Sequence, residues 1–172
     1  VNYENYIENI LSTWKKRPQE GALKMIRKYG YPQEATASRF IWYQNTPWKR
    51  TIVFRDTVLH NFPTPHVDFL TQTIDYRTPL PLYDEIAKFD GSVYLDRTSG
   101  EVSAKCHMEE ANFLTLNLFH EINVGKKSVD EARLFYSDTI EKFKKHNEKS
   151  PYLDRFLFPK QFNTADPDIS YF

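Results

Sequence analysis

The stretch Glu109–Asn123 constrains this chain more than any other. Ala111, Phe113, Leu114, Leu116, Leu118, Phe119, Ile122 and the following Val124 leave a helix there almost no polar side. A surface helix carries one apolar stripe, whereas a helix apolar nearly all round must be covered on several sides. The rest of the chain therefore has to supply the cover. Its 172 residues suffice for a single domain around such a helix. The means are aromatic: 13 Phe, 11 Tyr and 3 Trp, each removing a large apolar area from water when buried.

Charge excludes several classes of function. Lys and Arg number 23, as do Asp and Glu, so the formal net charge is zero. Neither disorder, which goes with high charge and few aromatics, nor nucleic acid as the main partner fits this balance. The apolar stretches are short, as in 113–119 where Thr115 and Asn117 interrupt, far below the roughly 20 residues that span a bilayer, so the chain reads as soluble. One cysteine, Cys106, allows no internal disulfide. That fits the cytoplasm without excluding a bacterial periplasm. The first residue, Val1, is not a methionine, which points either to a removed signal peptide or to numbering that starts inside a longer chain.

Helices are expected at both ends. Tyr3, Tyr6, Ile7, Ile10, Leu11 and Trp14 keep helical spacing on one face, and Ala22, Met25, Ile26 and Tyr29 form the stripe of a second helix that begins near Pro18 and stops at Gly30 and Pro32. After the central helix, Ser128-Val129-Asp130-Glu131 is a capping box that opens a last long helix, with Ala132, Phe135, Tyr136, Ile140 and Phe143 inward. Residues 150–172 read as a surface-wrapping tail anchored by the aromatics of 152–158.

Between these lie strands. Residues 40–44 and 49–59, separated by Asn45-Thr46-Pro47-Trp48, predict an antiparallel hairpin in which Ile52, Phe54 and Val58 share a face opposite Arg55 and Thr57. A proline-marked loop, 60–68, precedes a third strand at 69–76 and a short helix at 82–89. Residues 92–98 and 101–107 flank Ser99-Gly100, a two-residue turn that sets Thr98 opposite Glu101, Leu95 opposite Ala104 and Val93 opposite Cys106. Val93, Leu95, Val102, Ala104 and Cys106 then share the apolar face. Helices clustered at the ends around antiparallel strands indicate an α+β fold, with a small sheet built from two hairpins.

The strong catalytic signatures are absent. There is no glycine-rich phosphate loop, nucleophile elbow or Cys-x-x-Cys pair, and His120-Glu121 lacks the second histidine of a zinc-protease helix. The densest polar constellation is His60-Asn61-Phe62-Pro63-Thr64-Pro65-His66-Val67-Asp68. Its two imidazoles and carboxylate suit zinc or another divalent ion, with His120 or Glu110 completing the set; the same residues also suit a rigid loop whose histidines cap backbone groups. His66-x-Asp68 puts both side chains on one side of an extended segment.

His120 reads either as a buried general base lining a pocket or as a core histidine satisfied by Asn117 or a backbone carbonyl. Cys106 and His107 are adjacent, but strand neighbours point to opposite faces, which sends the two side chains apart and leaves Cys106 as a small hydrophobe. Trp48, Lys49 and Arg50, with Tyr43 across the turn, combine aromatic and basic groups into a candidate partner or anionic-ligand surface; the alternative is a Trp48 packed on the core edge under basic stems.

Trp48-Lys49-Arg50-Thr51, the 60–68 segment and Phe89-Asp90-Gly91-Ser92-Val93 together resemble a group of uncharacterised bacterial proteins over about residues 22–136. The resemblance implies a bacterial origin and no activity. Gly30-Tyr31-Pro32-Gln33-Glu34 after two helices looks like the small outer-membrane assembly lipoproteins and β-lactamase-inhibitor-like domains, which are binding modules, although no lipid-attachment cysteine stands near Val1. The expectation is thus a non-enzymatic binding domain for a protein or small-molecule ligand, presenting the Trp48 hairpin and the 60–68 loop. One alternative is a metal-dependent hydrolase using His60, His66, Asp68 and His120. The other is a domain that encloses a small apolar ligand.

Overall fold

The computed structural model describes residues 2–172. Two N-terminal helices, α1 (Tyr3–Leu11) and α2 (Lys16–Tyr29), lead into β1 (Glu34–Thr36), β2 (Arg39–Tyr43), β3 (Arg50–His60) and β4 (His66–Asp75). A short helix α3 (Tyr83–Phe89), strands β5 (Val93–Asp96) and β6 (Glu101–Cys106), and helices α4 (Glu109–Asn123) and α5 (Val129–His146) complete the regular structure. The fold is α+β, with one antiparallel six-stranded sheet in the order β1-β2-β3-β4-β6-β5. No helix of the described residues is long and apolar enough to cross a membrane.

Cross-strand register explains which face is covered. The row Trp42, Thr51, Gln72, Ala104 and Val93 runs across five strands, and all of its members are buried. α4 lies under this face, nearly every residue of it buried, enclosed by β4, β6, α3, α5 and the turn Pro151–Leu153. Two buried asparagines of α4 are held through their amide N–H groups. Asn112 donates to Leu70 O and Gln72 Oε1, and Asn117 donates to Tyr152 O and Arg155 O while accepting from Leu157 N. The buried Glu109 carboxylate accepts from Lys28, Tyr29, Trp48 and Gln72. Buried polar groups persist when paired in this way. The capping box at Ser128 and Glu131 forms as expected.

Three local expectations are corrected. The β5–β6 ladder pairs Val93 with Ala104, Leu95 with Val102 and Asp96 with Glu101, so the connection has four residues, not two. Asp96 Oδ1 accepts from Ser99 N, and Gly100 N donates back to Asp96 O, which draws Arg97 and Thr98 into the turn. The slip is by two residues, so every side chain keeps its predicted face. On β3 it is Thr51 and Val53 that turn inward; Ile52 and Phe54 lie on the side without helices, where Arg39 and Lys105 flank the Phe54 ring. Finally, the loop expected over 60–68 is shorter: β3 and β4 stay paired out to His60 and His66, and 61–65 form the connection.

Candidate metal centre

The β3–β4 register sets the site. His60 and His66 form the last pair of the ladder, with ring centroids 5.0 Å apart. His66 and Asp68 come to the same side of β4, as their spacing predicts, and Asp68 is 1% exposed. β6 ends beside β4, with Cys106 paired to Leu70. His107 lies past the end of β6, where strand alternation no longer applies. Its Nδ1 turns back to 3.5 Å from Cys106 Sγ, and its ring stands 5.1 Å from that of His66. The expected divergence of Cys106 and His107 is therefore wrong, because the strand stops one residue earlier than it assumed.

His66 joins two groups of ligand-type atoms: His66, Cys106 and His107 in one, and His60, His66 and Asp68 in the other. Its Nδ1 lies 2.8 Å from Thr64 O. A carbonyl oxygen can only accept, so Nδ1 carries a proton. Nε2 faces Asp68 Oδ1 at 2.9 Å and Cys106 Sγ at 3.7 Å. Close as it is to Nε2, Asp68 Oδ1 is buried and receives no well-directed hydrogen bond among the described residues. The short distance is a charge contact and not a well-formed hydrogen bond, which weakens steeply off its axis.

The other carboxylate oxygen is fully engaged. Asp68 Oδ2 accepts from Ser92 Oγ and lies 3.1 Å from His60 Nδ1. His60 Nε2 in turn lies 3.7 Å from Asp90 Oδ1, which accepts from Ser92 N. His60 thus backs Asp68 from behind and does not face Cys106.

The electrostatics set the charge that each group carries. Burial disfavours charge on His66, yet the contacts with Asp68, Cys106 and Thr64 outweigh it and raise its pKa to about 10. Burial also opposes ionisation of Asp68, but His66, Ser92 and His60 hold its pKa below the usual value. His107 is pushed down to about 4, by burial first and then by the charges of Lys144, His66 and Arg17, so it is neutral and offers a lone pair. Asp90, deeply buried, has its pKa raised.

The remaining predicted residues lie elsewhere. His120 and Glu110 belong to neither group. His120 Nδ1 pairs with Tyr76 OH at 2.8 Å and its ring stacks on Phe158, so the four-residue set with His60, His66 and Asp68 does not assemble. Asn117 serves the tail instead of His120. Asn61 is exposed at the hairpin end. Trp48 is 1% exposed and donates to Glu109, so it presents no stacking surface. Lys49 is paired with Asp75 and Glu101, Arg50 with Glu101, and Tyr43 donates to Glu34. Sequence reasoning missed Cys106, His107, Ser92 and Asp90 as members of the site. The available signal was the Cys-His pair two residues before a helix, where a strand must already have ended.

No protein-family model matches this chain, and neither a curated protein nor a solved structure shows significant similarity to it.

Proposed function

We propose that this chain is a metal-binding domain that holds one divalent transition-metal ion, of the zinc type, on His66, Cys106 and His107, with Asp68 beside His66. The observation that carries the reading is the surroundings of His66 Nε2. With one proton held at Nδ1 by Thr64 O, Nε2 is the ring position that faces a carboxylate oxygen and a thiol sulfur, and a metal ion there would displace the second proton that His66 carries at neutral pH. A cation at Nε2 satisfies the carboxylate oxygen and the sulfur on either side of it, and a metal ion can take the place of the proton there. Around tetrahedral zinc, neighbouring nitrogen, oxygen and sulfur ligands sit about 3.3 to 3.8 Å apart. The His66–Cys106 and Cys106–His107 separations of 3.7 and 3.5 Å are of that size.

The contacts behind the donors support the same reading. Metal-bound imidazoles usually donate their second N–H to a carbonyl or carboxylate, and ligating carboxylates are themselves hydrogen-bonded. Thr64 O does this for His66, and Ser92 and His60 do it for Asp68. A thiolate in the set favours zinc over magnesium or calcium. The ion would fasten the overhanging start of β4 to the end of β6 at the head of α4, a binding role to which no reaction is assigned.

The test is cobalt substitution followed by zinc competition. Cobalt(II) should give a thiolate-to-metal charge-transfer band with one ion per chain, lost in Cys106→Ser and in His66→Ala. A protein that stays metal-free after loading at neutral pH would instead leave a proton as the shared cation, with His66 an imidazolium. Binding that survives both substitutions would locate the ion elsewhere.

A further inference from the structure

Away from the histidines, the β2–β3 connection and the chain after Pro151–Leu153 enclose a cleft of about 260 Å³. Pro47, Trp48, Ile74, Phe156 and Phe158 supply its apolar wall. Trp48 lies beneath the cleft, almost wholly covered, its indole N–H committed to Glu109 and Phe113 and Phe156 packed on its ring. Phe156 and Phe158 are only half-buried and line the cleft. Packed interiors rarely leave such volume between rings, and concave apolar sites with a few convergent polar groups are where small ligands bind.

The polar groups at the rim select the ligand's charge. Lys49 is neutralised between Asp75 and Glu101, each 2.8 Å away. Lys160 is exposed and has no carboxylate within ion-pair distance among the described residues. Its ammonium lies 5.2 Å from the Phe162 ring. Gln161 accepts from Arg77 N through Oε1 and has its amide nitrogen beside the Tyr76 hydroxyl, so one of its two N–H bonds remains for a ligand. The half-buried rings of Phe156 and Phe158, with one uncompensated ammonium and one amide N–H at their edge, are complementary to a planar aromatic ring carrying a carboxylate.

We propose that this cleft binds a small aromatic carboxylate, its ring between Phe156, Phe158 and Pro47 and its carboxylate at Lys160 and Gln161. The site is independent of the metal centre, and its ligand is of a different chemical class.

The experiment is a titration of protein labelled with nitrogen-15 at tryptophan, with 2-naphthoate as the probe and 2-naphthamide as its uncharged counterpart. The chain has 3 Trp and so three indole signals, of which Trp48→Phe identifies one. The expected result is a saturable shift of the Trp48 signal alone, weakened several-fold with the amide and in Lys160→Glu, and abolished in Thr46→Trp, which fills the mouth of the cleft. Thr46 and Lys160 are both exposed, and unchanged Trp14 and Trp42 signals certify folding in each variant. A Trp48 signal that 2-naphthoate does not move overturns the site. Equal binding of the amide, with no effect of Lys160→Glu, overturns the assigned ligand class.

Discussion

His60 and His66 face each other as the last pair of the β3–β4 ladder, yet their rings serve different neighbours. His66 turns Nε2 towards Cys106, while His60 is held between Asp68 and Asp90. The two substitutions should therefore separate. His66→Ala should abolish metal binding. His60→Ala should retain one ion per chain but weaken it roughly ten- to a hundredfold, the usual loss when a group behind a ligand is removed. Competition against a chromophoric chelator measures both, and equal loss in the two variants would contradict the separate roles.

Glu109 offers a test of the core that does not touch the metal centre. Its carboxylate is 6% exposed and accepts from four side chains on two elements, α2 and β4, and one connection. Removing one partner of a buried charged network typically costs about 3 to 5 kcal/mol. Glu109→Ala should lower the urea midpoint accordingly with an unchanged slope, and Glu109→Gln, which keeps one acceptor, should lose less.

Gly100 carries the tail as well as a turn. Its φ is +70°, and a Cβ there would lie 2.2 Å from the Thr164 backbone carbon. Thr164 Oγ1 donates to Gly100 O, and Asp166 N donates to Thr98 O. Gly100→Ala should cost about 1 to 3 kcal/mol in backbone strain and displace the tail. Limited proteolysis should then cut near residues 160–170 faster than in the wild type, whereas an unchanged digestion rate would mean that the turn yields without moving the tail.

A pH effect follows from Glu101. Partial burial works against its charge, but Lys49 and Arg50 outweigh it and set its pKa below the ordinary 4.5. A carboxyl depressed on folding stabilises the native state above its unfolded pKa, and the benefit disappears as pH falls through the folded value. Thermal scans between pH 7 and pH 3 should show the wild type losing part of its advantage over Glu101→Gln below about pH 4.5. A gap between the two proteins that stays constant down to pH 3 would contradict the assignment.

Helical periodicity made most of the fold legible. α4 reads directly from its apolar residues, and the Ser128 capping box marks the start of α5 to the residue. The β5–β6 turn misled because Ser99-Gly100 carries the chemistry of a two-residue loop, while Asp96, a few positions earlier, captures Ser99 N and enlarges the turn. β1, with three residues, is too short to carry an alternating pattern. In the site, His66-x-Asp68 was legible from spacing alone. Cys106 and His107 were not, because their convergence depends on where β6 stops and on its pairing with β4, some 40 residues earlier in the chain.

The sheet order has a bearing on how this molecule meets copies of itself. Its two longest strands, β3 and β4, are interior, and the rims are β1 with three residues and β5 with four. An incoming strand can add only to unpaired backbone at a rim, and short rims are one way in which proteins resist such growth. The backbone open to templated extension is therefore confined to the two smallest strands of the sheet, and self-association through side-chain surfaces is favoured over a continuous intermolecular sheet.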